Sequence, residues 1–318
     1  MPKALLISFL SGIIFITACS KHDSGCPTTP PLLDTLGAGW QAITIDTNNL
    51  GLSDVFFVNN QTGFVCGERY LGKSTDGGLG WQRILPDSLN ESFINLFFVD
   101  ANNGWVTGPQ FLLRTTDGGK TWQKQYKGSV FDVQFFDANN GFVTRGTPGT
   151  GFYRTSDGGA TIQQVDNAES IGLFFFNQNS GWFSGAYLYK TTDAAITFTP
   201  GSFGFNTSSQ YPYAMQFTDT LHGWVTGSGG LFRTINGGAS FETLLPGTNG
   251  GGDIHFFDNN NGYILANNKI YSTADGGKTL APMCSIHKVQ PLVELHFTDI
   301  NHGWATGGGN IVYKYVKQ

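Results

Sequence analysis

The sequence LFFVDANNGWVTG over residues 96–108, followed by LRTTDGGKTW over residues 113–122, decides the fold. A glycine followed by an aromatic residue recurs seven times, at spacings of 41, 37, 40, 42, 39 and 41 residues. The seven glycines are Gly63, Gly104, Gly141, Gly181, Gly223, Gly262 and Gly303. A Phe stands six residues before every one of them. This regularity indicates a chain built from one repeated structural module.

Each repeat predicts four short strands. The first carries the Phe and the second begins at the glycine. The third runs into a Thr-x-Asp-Gly-Gly turn, and the fourth leaves that turn at an aromatic or apolar residue. Four strands in about 40 residues match one blade of a β-propeller. High glycine and aromatic contents, with 44 Gly and 27 Phe, agree with strands and turns rather than helices. The chain is therefore predicted to be all-β, a seven-bladed β-propeller of four-stranded blades over residues 37–318.

The turn between the third and fourth strands is an Asp box. Six repeats carry it, in the segments 74–81, 115–122, 155–162, 191–198, 234–241 and 273–280. Its Asp and Ser/Thr side chains can bond the turn backbone, and paired glycines can take positive φ. The box is therefore interpreted as a folding device, without a catalytic role for its Asp residues.

The last repeat lacks a fourth strand of its own. No Asp box follows its third strand at residues 310–318, whereas residues 37–43 (GAGWQAI) match residues 78–84 (GLGWQRI) of the first repeat. The N-terminal strand is therefore predicted to close the last blade, which removes an exposed sheet edge.

These elements resemble those of the BNR/Asp-box propellers, and most closely the photosystem II stability and assembly factor family. The shared patterns are D-x-x-x-G-W-x-x-G and T-x-D-G-G-x-T-W, which occur here at residues 100–108 and 115–122. The resemblance covers residues 37–318 and implies a non-enzymatic assembly chaperone for a membrane protein. Nothing in the chain indicates a photosynthetic host, so a non-photosynthetic lipoprotein version is expected.

The N-terminus has the pattern of a lipoprotein export signal. Lys3 precedes an apolar run over residues 4–16 that is too short to span a bilayer comfortably. The run ends in Ile-Thr-Ala-Cys19, which resembles a bacterial lipobox with Cys19 as the lipidated residue. We therefore predict a signal peptide at 1–18 and a flexible tether at 19–36. The expected location is the cell envelope, lipid-anchored at the outer membrane or cell surface, without a spanning segment.

Charge and cysteine content limit the partners. The formal net charge is −5 and the sequence has no basic cluster, which argues against nucleic acid as a partner. Cys26, Cys66 and Cys284 lie far apart, so no disulfide framework is indicated. No cofactor is expected, and the protein is expected to be a monomer that binds a protein or an envelope component.

No catalytic motif is present, so the chain is predicted not to be an enzyme. A sialidase would need arginines converging on a carboxylate. Here Arg114, Arg154 and Arg233 instead share one position on the third strand, interpreted as a blade-edge ion pair or a solvated stripe. The leading function is a protein-binding scaffold or assembly factor. An extracellular glycan hydrolase of the sialidase-like Asp-box type and a purely structural surface module remain as alternatives.

One polar cluster is predicted at the channel mouth. Asp253, His255, Glu294 and His296 stand at equivalent positions of the innermost strands of blades six and seven. Carboxylate and imidazole groups can bind a divalent metal. A hydrated, hydrogen-bonded channel lining is the favoured interpretation.

Departures from the repeat predict a binding surface. The connections from the second to the third strand, and from one blade to the next, share one face, here called the loop face. The Asp boxes lie on the opposite face. The candidate binding residues on the loop face are Arg69, Tyr70, Arg145, Phe205 and Tyr211, with Asp253 and Glu294 at its centre.

Overall fold

Strands and tight turns make up the computed structural model, and no helix occurs among the residues it describes. Those residues are 35–45, 51–84, 91–146, 150–167, 172–184, 187–201, 212–227, 229–246, 252–285, 291–307 and 309–317. Within them, no helix is long and apolar enough to cross a membrane. The signal peptide, Cys19 and tether residues 19–34 lie outside the described residues.

Two strands precede the first blade, β1 (Thr35–Leu36) and β2 (Trp40–Thr44). The strands of blades one to three are β3 (Leu52–Phe57), β4 (Gly63–Gly67), β5 (Tyr70–Ser74), β6 (Gln82–Arg83); β7 (Leu96–Phe98), β8 (Gly104–Gly108), β9 (Phe111–Thr115), β10 (Gln123–Lys127); and β11 (Asp132–Phe135), β12 (Gly141–Arg145), β13 (Gly151–Thr155), β14 (Gln163–Asp166).

The strands of blades four and five are β15 (Gly172–Phe175), β16 (Gly181–Ser184), β17 (Leu188–Thr191), β18 (Thr199–Pro200); and β19 (Pro212–Phe217), β20 (Gly223–Gly227), β21 (Gly230–Thr234), β22 (Glu242–Pro246). Those of blades six and seven are β23 (Ile254–Phe256), β24 (Gly262–Ala266), β25 (Lys269–Thr273), β26 (Ala281–Ser285); and β27 (Leu292–Asp299), β28 (His302–Gly307), β29 (Ile311–Val316).

Seven antiparallel sheets form a closed ring. Each first strand contacts the first strand of the next blade, and β27 of the last blade contacts β3 of the first. The predicted seven-bladed all-β propeller is therefore confirmed.

The N-terminal strand closes the last blade as predicted. β2 pairs antiparallel with β29, and Trp40 lies opposite Tyr315. Trp40 is buried, with its ring 5.1 Å from that of Tyr315. One pairing was not predicted from the sequence: β1 adds a fifth strand to the outer edge of blade six, where Thr35 pairs with Ser285.

The repeated Phe and glycine are explained by one contact within each blade. They lie opposite each other on the first and second strands, as Phe98 and Gly104 do in blade two. A Cβ on any of the seven glycines would come within 2.1 to 2.6 Å of the Phe ring. Only glycine leaves room for the ring, so the two residues must recur together.

The same Phe also joins neighbouring blades. Its ring stacks on the aromatic residue that follows the glycine of the preceding blade. The seven pairs, with ring centroids 3.5 to 4.4 Å apart, are Trp304–Phe57, Phe64–Phe98, Trp105–Phe135, Phe142–Phe175, Trp182–Phe217, Trp224–Phe256 and Tyr263–Phe297. The two aromatic positions of the repeat are thus the two halves of one inter-blade stack, and this stack forms the core.

The Asp box folds as its side chains predict. In blade two, Thr115 Oγ1 accepts the N–H of Gly119 at 2.9 Å, and Asp117 Oδ1 accepts the N–H of Thr121 at 2.9 Å. The two glycines of this box take φ of 70° and 83°. Two alanines at 194–195 take φ of 61° and 60° in the fourth box, so side-chain bonding holds the turn even where glycine is absent.

Candidate functional site

Polar side chains on the innermost strands link neighbouring blades around the channel. Asp132 Oδ2 accepts the N–H of Leu173 at 3.2 Å, and Asp253 Oδ2 accepts the N–H of Leu295 at 2.9 Å. Asp54, which is buried, accepts the N–H of Leu96 in the same way. These carboxylates therefore cap backbone donors of the next blade, which would otherwise be unsatisfied.

Two glutamines make the same connection between other blades. Gln134 donates to the carbonyl of Phe175 and accepts its N–H, both at 2.7 Å. Gln216 likewise donates to the carbonyl of Phe256 at 2.9 Å and accepts the N–H of Phe256 at 2.6 Å. The channel lining thus acts as a set of side-chain bridges between inner strands.

The four predicted metal candidates lie together but make internal contacts. His296 Nε2 is 2.9 Å from the carbonyl oxygen of Phe57, to which it donates, so its ring is a bridge as well. The rings of His255 and His296 are 6.2 Å apart, and the carboxyls of Asp253 and Glu294 are hydrogen-bonded. Among the described residues, no three His, Cys, Asp or Glu side chains form a group that could hold a metal ion.

Burial shifts the channel groups toward their neutral forms. It raises the pKa of Asp54 and of Asp132 to about 7 and that of Asp253 to about 6. The pKa of Glu294 rises well above its usual value, first through burial and then through the neighbouring carboxylates. Burial lowers the pKa of His255 to about 3 and that of His296 to about 4. Near neutral pH the lining carries less charge than its composition indicates.

We expect Asp132→Asn to change the pH dependence of stability. The pKa of Asp132 is raised from 3.8 to about 7, so the folded state holds this proton more tightly than the unfolded chain. The resulting stabilisation is complete below the unfolded pKa and is lost as the pH rises through about 7. Between about pH 4 and 8, the wild type should therefore lose free energy of unfolding relative to the variant, by at most about 1.4 kcal/mol per pH unit.

Urea unfolding of both proteins at about pH 4.5, 6 and 7.5 measures this difference. The channel histidines are present in both proteins, so their own titration cancels. Asn keeps an acceptor oxygen for the N–H of Leu173. A difference between the two proteins that stays constant over this range would contradict the pKa shift.

The structure separates the predicted loop-face residues. Arg69 is exposed between β4 and β5, at φ of 53°, and pairs with Glu68 at 3.3 Å. The Arg145 guanidinium lies over the rings of Tyr126 and Tyr153, with its central carbon 4.7 and 4.9 Å from the ring centroids. Arg69 is thus available to a partner, whereas Arg145 is half-buried and packed against two rings on the same face.

Tyr70 requires a correction. It begins β5 and is only 2% exposed, so it is a core residue rather than a surface anchor. Its ring covers Gly72, where a Cβ would come within 2.7 Å of it. Phe205 and Tyr211 lie outside the described residues.

The basic residues on the third strands make more contacts than the predicted ion-pair or solvated stripe. Five of them, Lys73, Arg114, Arg154, Lys190 and Arg233, lie over the aromatic residue of their own blade, as Arg114 does over Trp105 at 5.7 Å. Lys73 Nζ donates to the carbonyl of Gly118, in the Asp box of the next blade, at 2.6 Å. These residues connect blades, although Arg233 also lies 3.7 Å from Glu242.

Sequence reasoning missed an apolar feature of the Asp-box face. Most of the large hydrophobic residues that are exposed in the described part of the chain lie in its turns or at strand ends beside them. They are Leu79, Ile196, Leu221, Ile235, Ile300 and Val316. Three of them occupy exposed positions of Asp-box segments, where the other copies have polar or small residues, and this contrast is visible in the sequence.

Comparison with known proteins supports the resemblance. A sequence model of the family described as photosynthesis system II assembly factor YCF48 matches residues 34–126. No curated protein matches the sequence.

Solved structures match over most of the chain. A structure described as YCF48 bound to D1 peptide is 20% identical, with a TM-score of 0.71, and the match covers 91% of this chain and 100% of that one. YCF48 from Cyanidioschyzon merolae is 19% identical, with a TM-score of 0.70, over 88% and 99% of the two chains. An ancestral GH74 enzyme is 14% identical, with a TM-score of 0.64. That match covers 85% of this chain and 46% of the enzyme chain.

At these identities, the structural matches establish the fold, which proteins of different function share. The sequence match to the assembly factor family is confined to 93 residues, 34–126, which include blades one and two. The chain is a seven-bladed β-propeller whose predicted resemblance to the photosystem II assembly factor family is confirmed.

Proposed function

We propose that this protein is an exported, membrane-anchored lipoprotein that acts as a protein-binding scaffold or assembly factor. The observation that carries the proposal is the match of residues 34–126 to the assembly factor family, together with a similar propeller described as bound to the D1 peptide. A ring held by seven inter-blade stacks is rigid, and a rigid surface binds a partner with little loss of conformational entropy.

We further propose that the protein is not an enzyme. The channel carboxyls are its best catalytic candidates, and Asp54, Asp132 and Asp253 each accept a backbone N–H of the next blade. A carboxylate used in this way is not positioned for a substrate. The glycan hydrolase alternative is supported by the similarity to a GH74 enzyme. Hydrolysis of a model glycoside or sialoside that is abolished by Asp253→Asn would establish the alternative instead.

The partner site is proposed on the loop face. Arg69 provides an exposed cation there, and Arg145 provides a guanidinium fixed between two rings. Arginine is among the residues that contribute most to protein interfaces. In this proposal Asp253 and Glu294, on the innermost strands of blades six and seven, lie at the centre of the site.

Affinity capture from membranes with the anchored protein tests this function. We expect one defined protein partner to be recovered, and Arg69→Ala to weaken its binding by about tenfold. Arg69 is exposed and mainly contacts Glu68, so the melting temperature of the Arg69→Ala variant should equal that of the wild type. The matched control is Lys120→Ala, at an exposed position of the Asp box of blade two. Loss of binding in Lys120→Ala but not in Arg69→Ala would move the site to the Asp-box face. Recovery of no protein partner would contradict the proposed function.

The membrane anchor has its own test. If Cys19 carries the lipid, Cys19→Ser should move the protein into the soluble fraction or leave the signal peptide uncleaved. Fractionation and the mass of the N-terminal peptide measure both outcomes. A correctly cleaved Cys19→Ser protein that still partitions with membranes would contradict the lipid anchor.

A further inference from the structure

The seam between two neighbouring blades is closed by the Asp box of the later blade. In four seams a Trp Nε1 of the earlier blade donates to the carbonyl of the first box glycine. These bonds measure 2.9 to 3.3 Å and are Trp105–Gly158, Trp224–Gly276, Trp304–Gly77 and, as the longest, Trp182–Gly237. A third-strand lysine of the earlier blade also donates to a carbonyl of the later one, at 2.6 Å for Lys73 and at 3.4 Å for Lys190. Among the described residues, both kinds of bond are thus longest between blades four and five, here called the four–five seam.

The charges at the four–five seam also differ from those of other seams. Lys73 is attracted by Asp117, the Asp of the box that follows it. Box five has Asn236 at that position, so Lys190 faces a neutral amide instead. The carboxylate of Asp219, in the adjoining turn, is hydrogen-bonded to other side chains. Lys190 makes no ion pair with any described residue. The seam therefore holds a cation with which no carboxylate of the described chain pairs.

A cavity of about 350 Å³ lies in the four–five seam. Its walls include Trp182, Leu188, Lys190, Pro200 and the box residues 236–239. Trp182 and Leu188 belong to one buried apolar cluster, so this part of the wall is apolar. The Asn236 amide is used within its own turn, where it accepts the N–H of Ser240 and donates to the Ser240 hydroxyl. Lys190 is thus the charged group of the described wall. The volume is within the range of small-molecule sites.

Exposed aliphatic side chains lie beside this cavity. Ile235 immediately precedes the box residues of the wall, and the carbonyl of Leu221 accepts the N–H of Gly237, a wall residue, at 2.8 Å. Ile196 stands three residues before Thr199, which also lines the cavity. The three aliphatic residues are 59%, 51% and 75% exposed, respectively, and are among the most exposed large hydrophobic residues of the described chain. Exposed apolar surface gathered at one cavity is typical of a binding site.

We propose that the cavity of the four–five seam binds a fatty acid anion. The acyl chain would lie against Trp182 and Leu188, and the carboxylate would pair with Lys190. A peptide would bring backbone N–H and C=O groups into the cavity, and these need partners. The Asn236 amide and the carbonyl of Gly237 are already bonded, whereas an acyl chain needs no hydrogen bond. This site lies on the Asp-box side and does not depend on the proposed loop-face function.

The probe is decanoate, a fatty acid anion that can be used as a monomer in solution. We expect the full chain to bind it in isothermal titration calorimetry. Decanol has the same chain without the charge, so it should bind about tenfold more weakly. Hexanoate has the same charge on a shorter chain, and it should also bind at least about tenfold more weakly because it buries less apolar surface.

Two variants separate the charge from the cavity. Lys190→Gln should weaken decanoate binding about tenfold and leave decanol binding unchanged. Ala239→Phe should abolish binding of both ligands by filling the cavity. Boxes one and two have Leu79 and Lys120 at this position, so the variant should fold, and an unchanged melting temperature verifies this. Ala160→Phe, at the same exposed position of box three, is the control that should bind normally.

Three results would overturn the proposal. The first is decanoate binding that neither Lys190→Gln nor Ala239→Phe changes. The second is an equal loss of decanoate and decanol binding in a Lys190→Gln protein with the wild-type melting temperature. The third is the absence of decanoate binding to the wild type at millimolar concentration.

Discussion

Trp304→Ala is expected to lower the free energy of unfolding by about 3–5 kcal/mol. The Trp304 side chain is fully buried, and its ring stacks on Phe57 with the centroids 3.5 Å apart. Its Nε1 donates to the carbonyl of Gly77 at 3.0 Å, in the Asp box of blade one. The substitution leaves a cavity at the seam that joins the last blade to the first. The melting temperature should fall by about 10 °C.

Trp304→Phe is the matched control. Blades one and three carry Phe64 and Phe142 at this position, and both stack on the next blade as tryptophan does. The Phe variant should keep the stack and lose the hydrogen bond, at a cost of about 1 kcal/mol plus the effect of its smaller ring. Thermal unfolding of the two variants measures the difference. An alanine variant as stable as the phenylalanine variant would mean that the stacks do not hold the ring together.

Deletion of residues 37–46 is the second change with a large expected effect. It removes β2, exposes the edge of β29, and takes away the buried Trp40 ring that packs on Tyr315 and Phe297. Loss of a buried Trp alone costs about 3–5 kcal/mol. We expect aggregation through the open edge or a fall in melting temperature of about 10 °C or more, measured by scanning calorimetry and light scattering.

Deletion of residues 20–34 provides the control. That segment has no apolar periodicity in the sequence, so we expect its removal to leave the melting temperature nearly unchanged. The same fall after both deletions would mean that the propeller is closed by something other than the pairing of β2 with β29.

Much of the fold was predictable because the repeated residues make the same contacts in every blade. The Phe, the glycine and the following aromatic residue are related by steric fit and ring stacking, so their spacing is constant. Closure by β2 was predictable for the same reason, because the sequence around Trp40 (residues 37–43) matches the sequence around Trp81 (residues 78–84). The pairing of Thr35 and Leu36 with blade six was not, because two residues carry no periodicity.

The candidate site was less predictable because a departure from the repeat has more than one cause. The sequence predicts Tyr70 as a binding residue on the loop face, although it pairs with Gly67 as Phe111 pairs with Gly108. Alignment of the third strands would have placed it in the core. The third-strand cations were interpreted only in part. Arg233 lies 3.7 Å from Glu242 as in an ion pair, but Lys73 and Lys190 donate to backbone carbonyls of the next blade, which the sequence alone does not reveal.

Closure by β2 has a consequence for how the chain reaches its native state. The strand at residues 40–44 can pair only with β29 at residues 311–316, so its native contacts span almost the whole sequence. Contacts of such high sequence separation form late and slow the folding of β-proteins. Until β29 is in place, β2 and the outer edge of blade seven are unpaired, and each is a template for association with another chain. The last step of folding is thus also the step at which this propeller is most exposed to misassembly, and its rate sets how long a chaperone would need to protect it.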